Sequence, residues 1–279
     1  MDRLRSDPRF DATAVSALRS RAQRDLPPGA YATLTEEDLM RFAVARSGVV
    51  DDAFKQLKGA TAWRTALMAA APMPLSCPLC EQRPTSHSHI PIGVEGTEQS
   101  TIVYGCPARA TDREVDATVN HVGLQLEYCF GLPETGSRWV WCVDYTGFGL
   151  THASQGQLAA RFATLFSNHM PERMHRIILL NPPVVFQVML KAVRPFVDPV
   201  TLGKIVPLRG SVERIIGELR SVHAFPPTAL SWIETVLNQK VREPLPPLPA
   251  AAAGLLLPGL RGRFDLECEV APPLGDDEK

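Results

Sequence analysis

The chain has 279 residues, 45% of them apolar and 21% charged, with a formal net charge of −1. These are the proportions of a globular protein with enough chain for a real core, and near-neutrality leaves no electrostatic footprint for nucleic acid. No apolar run reaches about 18 residues, which excludes a conventional transmembrane helix, and six cysteines in a chain of this size are not the dense pattern of a secreted disulfide scaffold.

The opening segment Met1 to Phe10 lacks the apolar core of a signal peptide, so a cytoplasmic protein is the expectation. Residues 1–33 show weak periodicity and end in the turn Pro27-Pro28-Gly29. Thr35 followed by Glu36, Glu37 and Asp38 marks a helix start: a hydroxyl to cap free amides, then acids in the positive first turn. Leu39, Phe42, Ala43 and Arg46 follow at helical spacing. A second helical pattern runs from about Asp51 to Ala70 through Ala53, Phe54, Leu57, Ala60 and Trp63. Together they predict a small helical N-terminal unit over residues 1–72. Residues 73–98, rich in Pro, Ser, Gly and Thr, read as a loop.

Thr101–Cys106 predicts a short strand, and Asp112–Phe130 a helix through Val115, Val119, Val122, Leu126 and Cys129. Arg138–Asp144 reads as a strand and Gly147–Gly149 as a turn. Ser154–His169 is amphipathic, with Leu158, Phe162, Leu165 and Phe166 on one face, and Pro171 stops it. Arg176–Leu180 is a strand without alternation, the pattern of a sheet covered on both faces. A helix over 183–196, a strand over Lys204–Leu208 and helices over 211–220 and 228–239 follow. The β-α-β-α-β order predicts an α/β fold over residues 99–240: a mostly parallel sheet flanked by helices, with right-handed crossovers. Residues 241–279, rich in Pro and Ala with an acidic end, read as a loose tail.

The helix over 183–196 is apolar nearly all round. Phe186, Met189, Leu190, Val193 and Phe196 share one face, and Val185, Val188 and Ala192 extend it. Gln187, Lys191 and Arg194 form its single polar stripe. Such a helix is either a buried crossover or partly in lipid. Charge favours lipid: residues 176–209 carry Arg176, Lys191, Arg194, Lys204 and Arg209 against Asp198 alone, which suits docking on an anionic membrane face through Lys191 and Arg194.

The run MPERMHRIILLNPPVVFQVMLKAVRPFVDPVTLGKI closely resembles the core of the CRAL-TRIO lipid-binding domain family. LTEEDLMRFAVARSGVVDDAFKQLKGATAWR is similar to that family's helical N-terminal extension, and WVWCVDYTGF to its strand and turn before the long helix. The resemblance spans about 35–240. It implies a lipid pocket between the sheet floor and a gate helix, which by position is 183–196. In the phosphoinositide-binding branch the glutamate of the PER motif and the lysine after DPVT bind the headgroup; they match Glu172 and Lys204. That branch also carries small hydroxyl residues on the strand before the Asp-x-x-Gly turn, where this sequence has Trp139 and Trp141, so the resemblance does not extend to an inositol ligand.

Each of these residues has a plainer reading beside it. Glu172 and Lys204 hold a polar headgroup or form a structural salt bridge. Arg173 grips a phosphate bidentately or pairs with Glu172 or Asp144. Trp139 and Trp141, two apart on a strand, point to one face, as pocket lining or as core. Cys77, Cys80, His87 and His89 offer four soft or borderline ligands, so they read as a zinc knuckle or as loop thiols without metal; the His-x-His half is too short for ordinary finger spacing. No cofactor is otherwise required. Cys106, Cys129 and Cys142 fall on apolar faces as core thiols. There is no GxSxG, P-loop or HExxH, so no enzyme is expected. The expected function is a monomeric carrier of one phospholipid or isoprenoid-like molecule, transiently at a membrane surface; the alternative is a lipid-regulated sensor or interaction module that transfers nothing.

Overall fold

The computed structural model describes residues 2–83, 86–149, 152, 156–183, 186, 202–261 and 263. They fall into two compact units, Met1–Ala70 with Phe162–Met174, and Ala71–Arg161 with His175–Lys279.

The first unit is helical: α1 (Asp2–Arg5), α2 (Ala12–Asp25), α3 (Pro28–Ala32), α4 (Glu36–Ala45) and α5 (Val50–Ala70). Helix α8 (Gly156–His169) adds its part from Phe162 onward. Thr35 and Asp38 cap α4 reciprocally: the Asp38 amide donates to Thr35 Oγ1 at 3.1 Å, and the Thr35 amide to Asp38 Oδ2 at 3.0 Å. Leu18, Leu39, Met40, Phe42, Phe54 and Leu57 form the core. Helix α2 lies in the stretch before residue 33 where the sequence shows only weak periodicity. Asp11 caps it, and it buries Ala14, Val15, Leu18 and Ala22, so two alanines in its buried face masked the period.

The second unit holds a five-stranded sheet in the order β1 (His89–Val94), β2 (Thr101–Gly105), β3 (Trp139–Asp144), β4 (Met174–Leu180), β5 (Ile205–Leu208). β2–β3 and β4–β5 are parallel; β1 joins β2 antiparallel. This is the mostly parallel α/β sheet expected. The added edge strand lies inside the segment read as loop. Pro91 and Gly93 obscured it, and the register irregularity falls between those two residues, on an edge where a missing N–H is tolerated.

Ile92, Ile102, Tyr104, Val140, Cys142, Ile178, Leu180 and Leu208 pack one sheet face against α9 (Val212–Ser221) and α10 (Pro227–Asn238), which supply Ile215, Leu219, Leu230 and Ile233. Tyr104 donates its hydroxyl to Asp144 at 2.7 Å. Asp144 also accepts from the Thr146 amide at 2.8 Å, turning the chain into Gly147, whose φ of +74° and closeness to Val241 suit only glycine.

The tail reading is corrected as far as Arg261. Two 3₁₀ helices, Ala250–Leu255 and Pro258–Leu260, bury Leu255, Leu256, Leu257 and Leu260. Leu255 O accepts from Gln125 Nε2 at 2.7 Å, and the Gly259 amide donates to Leu75 O at 2.9 Å. The apolar run outweighs its prolines, because a 3₁₀ start accepts a residue without an N–H.

Candidate functional site

Alternation along the strands assigns the other sheet face. Thr101, Val103 and Gly105 of β2, Trp139, Trp141 and Val143 of β3, Ile177 and Leu179 of β4, and Ile205 and Pro207 of β5 point away from α9 and α10. Helix α7 (Val115–Phe130) meets this face where Cys129 lies against Thr101. Farther along the sheet the face stays apolar without being sealed: Trp141, Ile177 and Ile205 are half-buried and Pro207 is exposed, with Leu179 buried between them.

Trp139 and Trp141 lie together as the spacing predicts, with ring centroids 5.4 Å apart. Trp139 is fully buried and Trp141 reaches toward His89 at 5.6 Å. Phe186 is half-buried and meets Tyr145 edge-on at 5.2 Å. Met189, Leu190, Lys191, Val193, Arg194 and Phe196, the rest of the expected gate and docking residues, lie outside the described residues.

The expected headgroup residues divide between the two units. Glu172 belongs to the helical unit, where its carboxylate accepts from Arg9 Nη2 at 3.0 Å and faces Arg3 at 3.9 Å. Its φ of +58° is a left-handed conformation that a glutamate adopts at a cost. Arg173 donates to Asp38 Oδ1 at 3.2 Å, beside Arg41 at 2.6 Å, and both partners are buried. Burial pushes the Asp38 carboxyl upward, but Arg41, Arg173 and the Thr35 hydrogen bonds outweigh it and hold the group well below the usual range. Arg173 thus pairs with Asp38, a partner the sequence did not suggest. Lys204 belongs to the sheet unit, half-buried at the entry to β5, with its carbonyl accepting from the Ile177 amide at 3.0 Å.

The Cys/His loop assembles with one change of membership. Cys77, Cys80 and His87 come together, and the fourth member is His121 of α7, not His89. Their ligand atoms all lie within 4.8 Å of one another, and all four residues are buried. His89 is held elsewhere, its Nδ1 at 2.7 Å from the His87 carbonyl, and burial drives its pKa down to about 3. His121 lies 41 positions beyond Cys80, so no local spacing rule reaches it; its only signal was a histidine between Val119 and Val122 on a buried helix face. By contrast Cys106 and Cys129 are core thiols as expected, each pushed up to about 12 by burial.

Residues 86–219 match the CRAL/TRIO domain family. Over that stretch, just under half of the chain, the sequence is similar to that family. It is 34% identical over 73 residues to the SEC14 cytosolic factor of Kluyveromyces lactis, covering 26% of this chain and 24% of that protein. It is 40% identical over 52 residues to a CRAL-TRIO domain-containing protein of Saccharomyces cerevisiae, covering 19% of this chain and 17% of that one. The chain therefore aligns with a quarter or less of the length of these relatives. The crystal structure of Sfh5 shares the fold, with a TM-score of 0.54 at 15% identity over 71% of this chain and 81% of that one. The CRAL/TRIO match begins after Cys77 and Cys80 and includes His87 and His121. No helix among the described residues is long and apolar enough to cross a membrane.

Proposed function

We propose that this CRAL/TRIO-like domain binds a single hydrophobic lipid against the sheet face opposite α9 and α10, and exchanges it with membranes. The observation that carries this reading is the apolar row of half-buried Trp141, Ile177 and Ile205 and exposed Pro207, with Leu179 buried among them, on a domain similar to a lipid-binding family. Hydrocarbon is worth about 0.8 kcal/mol per buried CH₂, so exposing two long acyl chains to water costs on the order of 20 kcal/mol. A carrier lowers that barrier by offering apolar surface that matches the bilayer interior. Trp139 and Trp141 fill part of the same face with indole, which leaves less room for a polar headgroup there. Phe186, Met189, Leu190, Val193 and Phe196 would close over the acyl chains, while Lys191 and Arg194 would draw the segment to anionic lipid. Lys204, half-buried at the entry to β5, would serve the headgroup.

The test is mass spectrometry of lipid carried through native purification, together with transfer of fluorescent phospholipid between vesicles. Wild-type protein should carry one lipid per chain and transfer it, and Ile205→Asp should abolish both while the far-UV spectrum is kept. Absence of both co-purifying lipid and transfer, for phospholipid, sterol and isoprenoid alike, would sink the proposal. A lipid retained without exchange would identify a holder and remove the transfer half of the reading.

A further inference from the structure

We propose that Cys77, Cys80, His87 and His121 form a closed tetrahedral site for one zinc ion, which joins the segment ahead of the sheet to α7. This is independent of lipid binding.

The donor set is right for the metal. Two thiolates and two neutral imidazoles in tetrahedral array suit Zn²⁺, and with two negative charges they neutralise it. Zn–S of about 2.3 Å and Zn–N of about 2.05 Å at the tetrahedral angle put a sulfur and a nitrogen about 3.6 Å apart. Cys80 Sγ and His121 Nδ1 are 3.6 Å apart. The remaining pairs, all within 4.8 Å, need to close by at most about 1.5 Å to reach the edges of the same tetrahedron. A two-iron cluster would need its ligand pairs on separate metal atoms, which this compact group does not offer.

The surroundings prepare both histidines as ligands, through opposite nitrogens. His121 Nε2 lies 3.1 Å from the His89 carbonyl, which can only accept, so Nε2 carries the proton and Nδ1 presents its lone pair to the cysteines. On His87 the roles reverse. Thr118 donates its hydroxyl to Glu114 O at 2.7 Å, so its oxygen accepts from His87 Nδ1 at 3.3 Å. That leaves His87 Nε2 with a lone pair, buried and without a hydrogen bond. An orphaned buried nitrogen is expensive unless something occupies it. The two imidazole rings stand 4.9 Å apart, tilted 43° to one another.

The sulfurs fit the same picture. Cys77 caps the short helix α6 (Pro78–Gln82), and Cys80 lies within it. The His87 amide donates to the Cys80 sulfur, a partner that favours thiolate. With four protein ligands and no open position, the ion would be structural, not catalytic. Among the described residues this is the one group of such ligands.

The test uses the full chain. Wild-type protein, equilibrated with zinc sulfate and gel-filtered, should hold about one zinc per chain by elemental analysis, and a strong zinc chelator should lower its melting temperature. Cobalt substitution should give the intense visible bands of a tetrahedral ion with sulfur-to-metal charge transfer. Cys77→Ser and His121→Ala should fall to background metal, while His89→Gln keeps it. Because a ligand variant can fail simply by misfolding, His121→Cys serves as the rescue: it should retain the metal with stronger charge-transfer absorption. Thr118→Val should weaken affinity about 10–100-fold through loss of the His87 support. A wild type at background metal, an octahedral cobalt spectrum, or zinc retained by His121→Ala would each overturn the proposal.

Discussion

Arg173 separates a headgroup role from a structural one, and the Asp38 pairing sets the size of the effect. Its guanidinium lies 3.2 Å from Asp38 Oδ1 with both side chains under a tenth exposed. Hydrogen bonds to charged groups at such sites contribute about 1.5–3 kcal/mol. Arg173→Ala should therefore destabilise the helical unit by about 2–3 kcal/mol, because Asp38 keeps Arg41 and Thr35 as partners. Asp38→Ala should cost more, about 4–6 kcal/mol: the lost cap is worth about 1 kcal/mol and the buried Arg173 loses this anion, at about 3–5 kcal/mol, while Arg41 keeps Glu37 at 2.7 Å. The double mutant should fall short of the sum by about 1.5–3 kcal/mol, the signature of a direct contact. Hydrogen exchange read by peptide, in a urea series, assigns the loss to α4 and α5, and Trp63 reports the same unit by fluorescence. Lipid binding should be unchanged by Arg173→Ala. A stable Arg173→Ala protein with weakened phospholipid binding, or additive single effects, would refute the structural assignment and restore Arg173 as a phosphate ligand.

Acid should weaken the fold through two buried carboxylates. Burial raises Glu95, but His175 and the amides of Thr97, Glu98 and Ser100 outweigh it and hold it low, as Arg41 and Arg173 hold Asp38. Both folded values lie below the unfolded ones of about 4, so their contribution is complete above about pH 5 and is lost as pH falls toward the folded values. The melting temperature should drop from pH 5 to 3, and Glu95→Gln, costing about 2–4 kcal/mol at pH 7, should flatten that dependence; an unchanged profile would contradict the sign. Leu257→Ala should cost about 2–5 kcal/mol by urea unfolding, as a core leucine does, whereas a loose tail would shift stability by less than about 0.5 kcal/mol. Gly136→Ala would place a Cβ 2.5 Å from the Glu98 carbonyl and should destabilise by about 1–3 kcal/mol, and a neutral result would refute that close approach.

Much of the fold was legible because its signals are local. The Thr35 cap, the helical period of α5 and the continuous apolar run of β4 each lie within a few residues, and all three elements form. The PER and DPVT motifs carried the family likewise. Local signals failed where a residue's own preference opposed its context: alanines in α2, Pro91 in an edge strand, prolines in the buried segment after Pro249.

For the candidate sites, the chain alone determined which chemistry was present: tryptophans two apart on a strand, a Cys-x-x-Cys, a basic and acidic pair in the PER motif. Tertiary structure decided the partners. Arg173 went to Asp38, 135 positions away, and Glu172 to Arg9, 163 positions away, since a buried charge takes whichever opposite charge the packing brings close. His121 displaced His89 at the cysteines for the same kind of reason: coordination is set by distance in space, and α7 crosses the chain there. Which sheet face α9 and α10 cover also waited on packing, because a strand's period of two defines two faces but not which of them those helices will take.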